Sequence, residues 1–370
     1  MFTLNHSELL YQIALTNLHG IGPKKANALV SKLEKLELLF TEKFKDIQHV
    51  TGFSRSLLLN MKREDALRKA DEHLNYILKH AIQTHFYLDS NYPRRLKQCD
   101  DAPLLLYSKG NFDPNPERAV AIVGTRSSTN YGAILCEQLI SSFSEKNIQV
   151  VSGMAYGIDI QAHRHSVKND IETIGVLGHG LDRIYPSIHR RIAENMFNNG
   201  GLLTEFPFGT KPDKENFPRR NRIVAGLTDA TIVIESSIKG GSLITARLAN
   251  DYNRDVYAFP GNIGSVYSEG CNSLIKKQQA HLVLSGDDFL SQMNWVVDEA
   301  KPIAVQRRCF IELSDIERSI CLNLEGKSGE YIDMIANQTN LPISSLNIHL
   351  FHLEMKGMIQ TLPGKKYRLI

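Results

Sequence analysis

The sequence predicts an α/β protein: a Rossmann-like, doubly wound and mostly parallel sheet, flanked by an N-terminal helical (helix-hairpin-helix or SAM-like) domain and a C-terminal winged-helix domain. Three observations predict it. Between residues 119 and 284 apolar runs recur as continuous blocks rather than as apolar–polar alternation, the pattern of strands covered on both faces. Helical stretches separate the runs, so each strand is followed by a crossover and the pairing is parallel. Glycine turns close several runs, at Gly124, Gly153, Gly178 and Pro260-Gly261, and such strand ends are where open α/β sheets bind ligands.

A chain of 370 residues with 42% hydrophobic content has room for roughly two or three domains and at least one large core. The 43 basic residues against 40 acidic ones give a net charge of +3, so any cationic surface has to come from clustering. Five cysteines, at 99, 136, 271, 309 and 321, form no CxxC pair and no CxxC…HxxxH pattern, which speaks against a disulfide framework and a zinc site. The start MFTLNHSELL lacks the layout of a signal peptide, and no apolar run reaches about 18 residues. A cytoplasmic protein without membrane insertion is expected.

Residues 1–82 read as the helical domain. Leu9, Leu10, Ile13, Ala14 and Leu15 set a first helix, Leu18-His-Gly-Ile-Gly-Pro23 a hairpin, and Lys24 to Leu39 a second helix. The spacing L-x-G-I-G-P-x-x-A is that of a helix-hairpin-helix motif, whose glycines let backbone N–H groups approach a phosphate; a hairpin used only for packing fits equally well. A weaker echo runs from Ile47 to Leu59, and Lys62 to His80 reads as a further helix.

Residues 83–298 read as the Rossmann-like domain. A connector with a strand or two, carrying Pro93 and Pro103, leads to Asp113-Pro-Asn-Pro116 and the first buried strand, Ala119 to Val123. Strands are expected again at 148–152, 173–177, 201–205, 231–235, 256–259 and 281–284, with helices at 131–145 and 158–167. After a polar linker through Lys301-Pro302, residues 305–370 read as three helices, 314–324, 330–339 and 344–356, followed by strands 358–362 and 366–370 around Pro363-Gly364, a winged-helix shape. Its third helix offers Ser344, Ser345, Asn347 and His349 but little positive charge, which favours protein contact or regulation over DNA reading.

Three loops favour anions. Gly124-Thr125-Arg126 joins a strand to a helix, so amides and a helix N-terminus meet an arginine able to bond an anion. Ser152, Gly153, Ala155 and Gly157 form a second glycine loop before Asp159, which is expected to complement the helix dipole. Lys239-Gly-Gly-Ser242 is a third, with Ser242 as the expected N-cap. None has the spacing of a dinucleotide fingerprint or a P-loop, and neither a nucleophile elbow nor an H-E-x-x-H motif occurs. His163 and His165, two apart, face differently on a helix and are not a metal pair. The basic cluster Phe217-Pro-Arg219-Arg220-Asn221-Arg222 supplies a cationic wall, with Arg219 and Arg222 expected on one face and Arg220 turned away. Phe217, Tyr185 and Tyr156 lie beside these loops, and aromatic rings among arginines suit unstacked bases, so single-stranded nucleic acid leads over a small nucleotide.

These motifs resemble one family closely. Ala121-Ile-Val-Gly-Thr-Arg-Ser-Ser with Tyr131-Gly132, Val151-Ser-Gly-Met-Ala-Tyr-Gly-Ile-Asp with Ala162-His163, Gly180-Leu-Asp with Tyr185-Pro186, Phe217-Pro-Arg-Arg-Asn-Arg222, Gly241-Ser-Leu-Ile-Thr-Ala246 and Phe259-Pro-Gly261 resemble the DNA processing protein A (DprA, or Smf) family, in order, from about Tyr92 to Ser285. The resemblance implies a homodimer that binds and protects single-stranded DNA and helps load the RecA recombinase in natural transformation. It carries the phosphate-binding loop onto Gly124, Thr125 and Arg126, the second loop onto Ser152, Gly153, Ala155 and Gly157, and the basic cluster onto Arg219, Asn221 and Arg222, with Phe217 added to the expected site. Many members have lysine after the Tyr-Pro pair; Ser187 stands here, leaving Arg190 or Arg191 to replace it. No cofactor, metal or catalytic residue is expected. The rival reading is a nucleotide-processing hydrolase of the lysine decarboxylase-like type, in which Glu205 and Glu235, both ending strands, would be the carboxylates, although its P-G-G-x-G-T loop is reduced here to Pro260-Gly261-Asn262.

Overall fold

The computed structural model describes residues 6–295, 313–325, 327, 329–362 and 366–369. Contacts divide the chain into two units, Met1–Val296 and Val297–Ile370.

The first unit opens with six helices: α1 (His6–Thr16), α2 (Pro23–Val30), α3 (Glu37–Thr41), α4 (Phe44–Thr51), α5 (Arg55–Asn60) and α6 (Arg63–Lys79). The hairpin between α1 and α2 turns at Gly20, with φ +76. The single helix expected over 24–39 is two, because the chain breaks between α2 and α3. The break lets the Lys32 ammonium donate to the Thr51 carbonyl (2.7 Å), a cation on the C-terminal end of α4. The echo at 47–59 is itself a helical hairpin: Gly52, with φ +72, ends α4, and the Ser54 hydroxyl accepts the Leu57 N–H to start α5.

The sheet follows. Its strands are β1 (Gln83–Phe86), β2 (Leu105–Asn111), β3 (Arg118–Val123), β4 (Ile148–Ser152), β5 (Thr173–Val176), β6 (Gly200–Thr204), β7 (Ala230–Val233), β8 (Asp255–Ala258) and β9 (His281–Leu282). The helices between them are α7 (Arg94–Lys97), α8 (Asn130–Ser141), α9 (Ile158–Lys168), α10 (Arg190–Met196), α11 (Asn216–Gly226), α12 (Ser242–Asp251), α13 (Glu269–Lys276) and α14 (Gly286–Gln292). Strand order is β1-β2-β6-β5-β4-β3-β7-β8-β9. From β3 the chain winds one way to β6, then returns to the other side of β3 for β7 to β9, so β3 and β7 flank the switch point. All pairs from β6 to β9 are parallel, while β1–β2 and β2–β6 are antiparallel.

Alternation along β3 divides the core between the two faces. Ala121 and Val123 pack with Val151, Ile174, Ile223, Val224 and Ala246 on one side, and Val120 and Ile122 pack with Leu139, Phe143, Ile158, Ala162 and Phe289 on the other. The N-terminal helices use a third core, in which Leu9, Ile13, Leu15, Leu29, Leu58 and Met61 join Phe86, Leu105 and Tyr107 of β1 and β2. The last parallel strand is shorter than the expected 281–284. Among the described residues no helix is long and apolar enough to cross a membrane.

The second unit holds α15 (Asp315–Leu324), β10 (Glu330–Tyr331), α16 (Ile332–Thr339), α17 (Ile343–Met355), β11 (Ile359–Leu362) and β12 (Lys366–Leu369), with sheet order β10-β12-β11. A capping box starts α15: the Ser314 hydroxyl accepts the Glu317 N–H (3.3 Å) and the Glu317 carboxylate accepts the Ser314 N–H (2.9 Å). The short β10 escapes sequence reading because two residues carry no periodicity. The expected linker at 301–302 and the turn at 363–364 lie outside the described residues.

Candidate functional site

The carboxyl ends of β3, β4 and β7 open onto a cleft of about 580 Å³, walled by the loops after β3 and β4, the start of α11 and the start of α12. It lies at the switch point, where topology places the binding crevice of an open α/β sheet.

In the first loop, Gly124 has no space for a side chain, since a Cβ would stand 2.5 Å from Ile158 Cγ1. The Thr125 N–H donates to the Glu235 carbonyl (2.7 Å) and the Thr125 carbonyl accepts the Ile158 N–H (3.1 Å). That amide is therefore already engaged, and the loop's pull on an anion rests on Arg126. Arg126 is exposed, its guanidinium 5.4 Å from the Phe217 ring centre.

The second loop turns its polar groups inward. Ser152 is buried and its hydroxyl donates to the Ile122 carbonyl (2.6 Å), so it does not reach the cleft. The Asp159 carboxylate is buried and lines the cleft, with the N–H groups of Gly153 and Ala155 favouring its charged form. Burial raises its pKa, against the lowering influence of Arg220. Asp159 thus brings a carboxylate to a cleft edge where a free anion was expected, a larger role than the dipole complement expected of it. Gly157, with φ +74, rests on the first loop, where a Cβ would stand 2.1 Å from the Thr125 carbonyl oxygen.

Helix α11 carries the arginine cluster, and its 3.6-residue period sorts the side chains. Phe217, Arg220, Asn221 and Val224 line the cleft. Arg220 is buried under it, its Nη1 donating to the Val176 carbonyl (2.6 Å). Arg222 points the other way, bonding the Asp101 carbonyl and the Glu205 carboxylate. Arg219 is exposed, 5.1 Å from the Phe206 ring centre and 4.0 Å from Glu205. Arg219 and Arg222 both turn toward Glu205 and Arg220 away from them, the relative orientation expected, but the cleft lies on the side of Arg220 while Arg222 anchors the helix.

The remaining wall is the start of α12, where Gly240, Gly241 and Ser242 line the cleft. The cap is Gly241 rather than Ser242, whose hydroxyl donates to Ser236 Oγ (2.8 Å). Lys214, one of two lysines on the approach to α11, also lines the cleft and was not singled out from the sequence. Tyr185 stands at the rim, 6.2 Å from the Phe217 ring. Tyr156 is half exposed beside His189 (5.1 Å). Ser187, Arg190 and Arg191 are exposed and none of them lines the cleft.

The two strand-ending carboxylates are engaged in structure. Glu235 is buried and accepts the Thr129 N–H (2.9 Å) and hydroxyl (2.6 Å) at the start of α8, and Glu205 pairs with Arg222. His163 is buried with Nδ1 2.8 Å from Thr173 Oγ1; burial and nearby Arg220 lower its pKa to about 3. His165 lies 3.7 Å from Glu137 on another side of α9. Among the described residues no group of three or more His, Cys, Asp or Glu is arranged to hold a metal ion.

A doubly wound sheet whose switch-point cleft is lined by Arg126, Lys214, Phe217 and Tyr185 defines a Rossmann-like α/β protein, followed along the chain by a winged helix. The chain belongs to the DNA recombination-mediator protein A (DprA/Smf) family: the family model matches residues 83–294, and the DprA winged helix domain matches 312–365. It is 42% identical to DNA processing protein DprA of Streptococcus pneumoniae over 56% of this chain and 73% of that one, and 29% identical to Protein Smf of Synechocystis over 98% and 99%. Among solved structures it is similar to S. pneumoniae DprA (33% identity, TM-score 0.64, covering 79% of this chain and 99% of that one). It is also similar to a Helicobacter pylori DNA processing protein A described for its single-stranded DNA binding mode (29% identity, TM-score 0.52, covering 58% and 95%).

Proposed function

We propose that this protein binds single-stranded DNA in the switch-point cleft, without catalytic turnover. The observation that carries the reading is the pairing of Arg126 with the Phe217 ring at the mouth of a cleft that also holds Lys214 and Asn221. A guanidinium takes a backbone phosphate while the aromatic ring takes a base, each stacked base contributing on the order of 1–3 kcal/mol. Tyr185 extends the stacking surface. The similarity to the H. pylori protein supports the same ligand. In this reading Gly124, Thr125, Gly153, Ala155 and Gly157 shape the cleft, Arg126, Phe217 and Asn221 meet the strand, and Ser152 and Arg222 hold the frame. Arg219 sits outside the cleft, where it meets a strand that leaves it.

As a member of its family, the protein acts as a cytoplasmic homodimer in DNA processing during natural transformation, protecting incoming single strands and delivering them to the RecA recombinase. The helices of 1–82, the sheet of 83–298 and the winged helix of 305–370 serve as its three domains. The hydrolase alternative is weakened because Glu235 holds the start of α8 with both carboxylate oxygens and Glu205 is paired with Arg222 through Oε2.

Titration of labelled oligo-dT is the test. Sub-micromolar affinity is expected at moderate salt, weaker binding to duplex, and a log–log salt slope of about −0.7 per neutralised phosphate. Arg126→Ala should bind several-fold more weakly and reduce the slope by about 0.7 without lowering the melting temperature, since the side chain is exposed. Equal binding by this variant would remove Arg126 from the site, and no binding by the wild type would remove the function.

A further inference from the structure

We propose that Arg220 is a positioning residue of the cleft: packed on the backbone of Gly153 and lining the same cleft as Asp159, it balances that carboxylate and holds the second glycine loop in place without touching the strand itself. The inference rests on the single-strand reading above and assigns a role within the same site.

Gly153 is the centre of the arrangement. A Cβ there would stand 2.1 Å from Arg220 Nη1 and 2.5 Å from Cζ, so the guanidinium occupies the space a side chain would need. Asp159, buried and lining the same cleft, has the amides of this glycine and of Ala155 among the groups that favour its charged form. One glycine backbone thus carries the guanidinium at the edge of the cleft that Asp159 also lines. Next in the chain, Gly157 lies against the Thr125 carbonyl and Ile158 donates its N–H to it, so the second loop supports the backbone that presents Arg126.

Asp159 poses an electrostatic problem that Arg220 answers. A buried carboxylate lining a cleft meant for phosphate repels the ligand unless a cation balances it, and in a low-dielectric setting that repulsion is little screened. Arg126 is exposed and available to the strand, whereas Arg220 is 4% exposed and committed to the cleft floor. Its geometry also argues against direct contact: Nη1 is spent on the Val176 carbonyl and Nε is enclosed without a partner, so the two-pronged grip that suits a phosphate is not on offer.

The experiment is oligo-dT binding by the full chain across a salt series for wild type, Arg220→Met, the double variant Arg220→Met with Asp159→Asn, and Arg126→Ala, with melting temperatures for each. Arg220→Met should bind about tenfold or more weakly, because it leaves a buried carboxylate unbalanced. Adding Asp159→Asn should restore most of the affinity, with the wild-type salt slope, whereas Arg126→Ala loses about 0.7 from the slope. If Arg220→Met does not fold, the double variant, in which both charges are gone, decides. A double variant that stays as weak as the single one, or whose slope falls by the same step as that of Arg126→Ala, would show Arg220 gripping a phosphate and overturn the proposal. A wild type that binds no oligo-dT at low salt overturns the single-strand reading and this inference with it, a result distinct from failed recovery in a binding-competent background.

Discussion

Glu205 and Arg222 meet with 8% and 10% of their side chains exposed, and Arg222 also reaches the Asp101 carbonyl, so this pair ties α11 to the end of β6 and to the loop before β2. Arg222→Met should lower stability by about 3–5 kcal/mol, because an unpaired buried carboxylate remains, and should leave the strand affinity of the folded fraction unchanged; urea unfolding and titration of the same sample separate the two effects. His163 gives a pH signature. Its folded pKa of about 3 lies below the ordinary 6.5, so the stability it contributes is complete above about pH 6.5 and is lost as pH falls toward 3. Asp159, with its pKa raised, acts in the opposite sense. The difference between wild type and His163→Asn therefore isolates the histidine, and the variant should lose less melting temperature between pH 7 and 5. The arginine cluster and the split of Arg220 from Arg219 and Arg222 were legible in the sequence, but which side meets the cleft was not. A run such as Arg219-Arg220-Asn221-Arg222 announces charge, while which member turns inward depends on partners far along the chain, Val176 for Arg220 and Asp101 and Glu205 for Arg222.

At the scale of elements, the two glycine loops work as one object. Gly157 combines φ +74 with contact to the Thr125 carbonyl, so Gly157→Ala strains its own backbone and displaces the loop that bears Arg126. It should lower the melting temperature and weaken oligo-dT binding together; a variant that bound normally would show that the loops are not coupled. The strand positions of the sheet were legible because continuous apolar runs such as Ala119–Val123 and Ile148–Ser152 leave little choice. What sequence reading missed depends on distant contacts or on very short elements: the break between α2 and α3, where Lys32 reaches Thr51; β10, only two residues long; and the burial of Asp159 in the cleft wall. The third helix of the winged helix, α17, bears no lysine or arginine from Ile343 to Met355, and it exposes Ile348, Phe351 and Met355 instead. That surface fits a protein contact better than a DNA groove.

For the whole molecule, family membership and fold agree with the sheet read from sequence, and the order β6-β5-β4-β3-β7-β8-β9 places the cleft beside β3 as the switch-point rule requires. The first-unit helices share a core with β1 and β2, so the boundary expected near residue 83, between α6 and β1, is crossed by side-chain packing. The margins of this sheet have a further meaning. One border strand, β1, has four residues, three of them buried, and the other, β9, has only two. Short borders offer few unpaired backbone groups, so they are poor templates for strand addition, the route by which sheets zip into aggregates. The proposed homodimer would then form through side chains on helices and loops, leaving the nine-stranded sheet closed to growth.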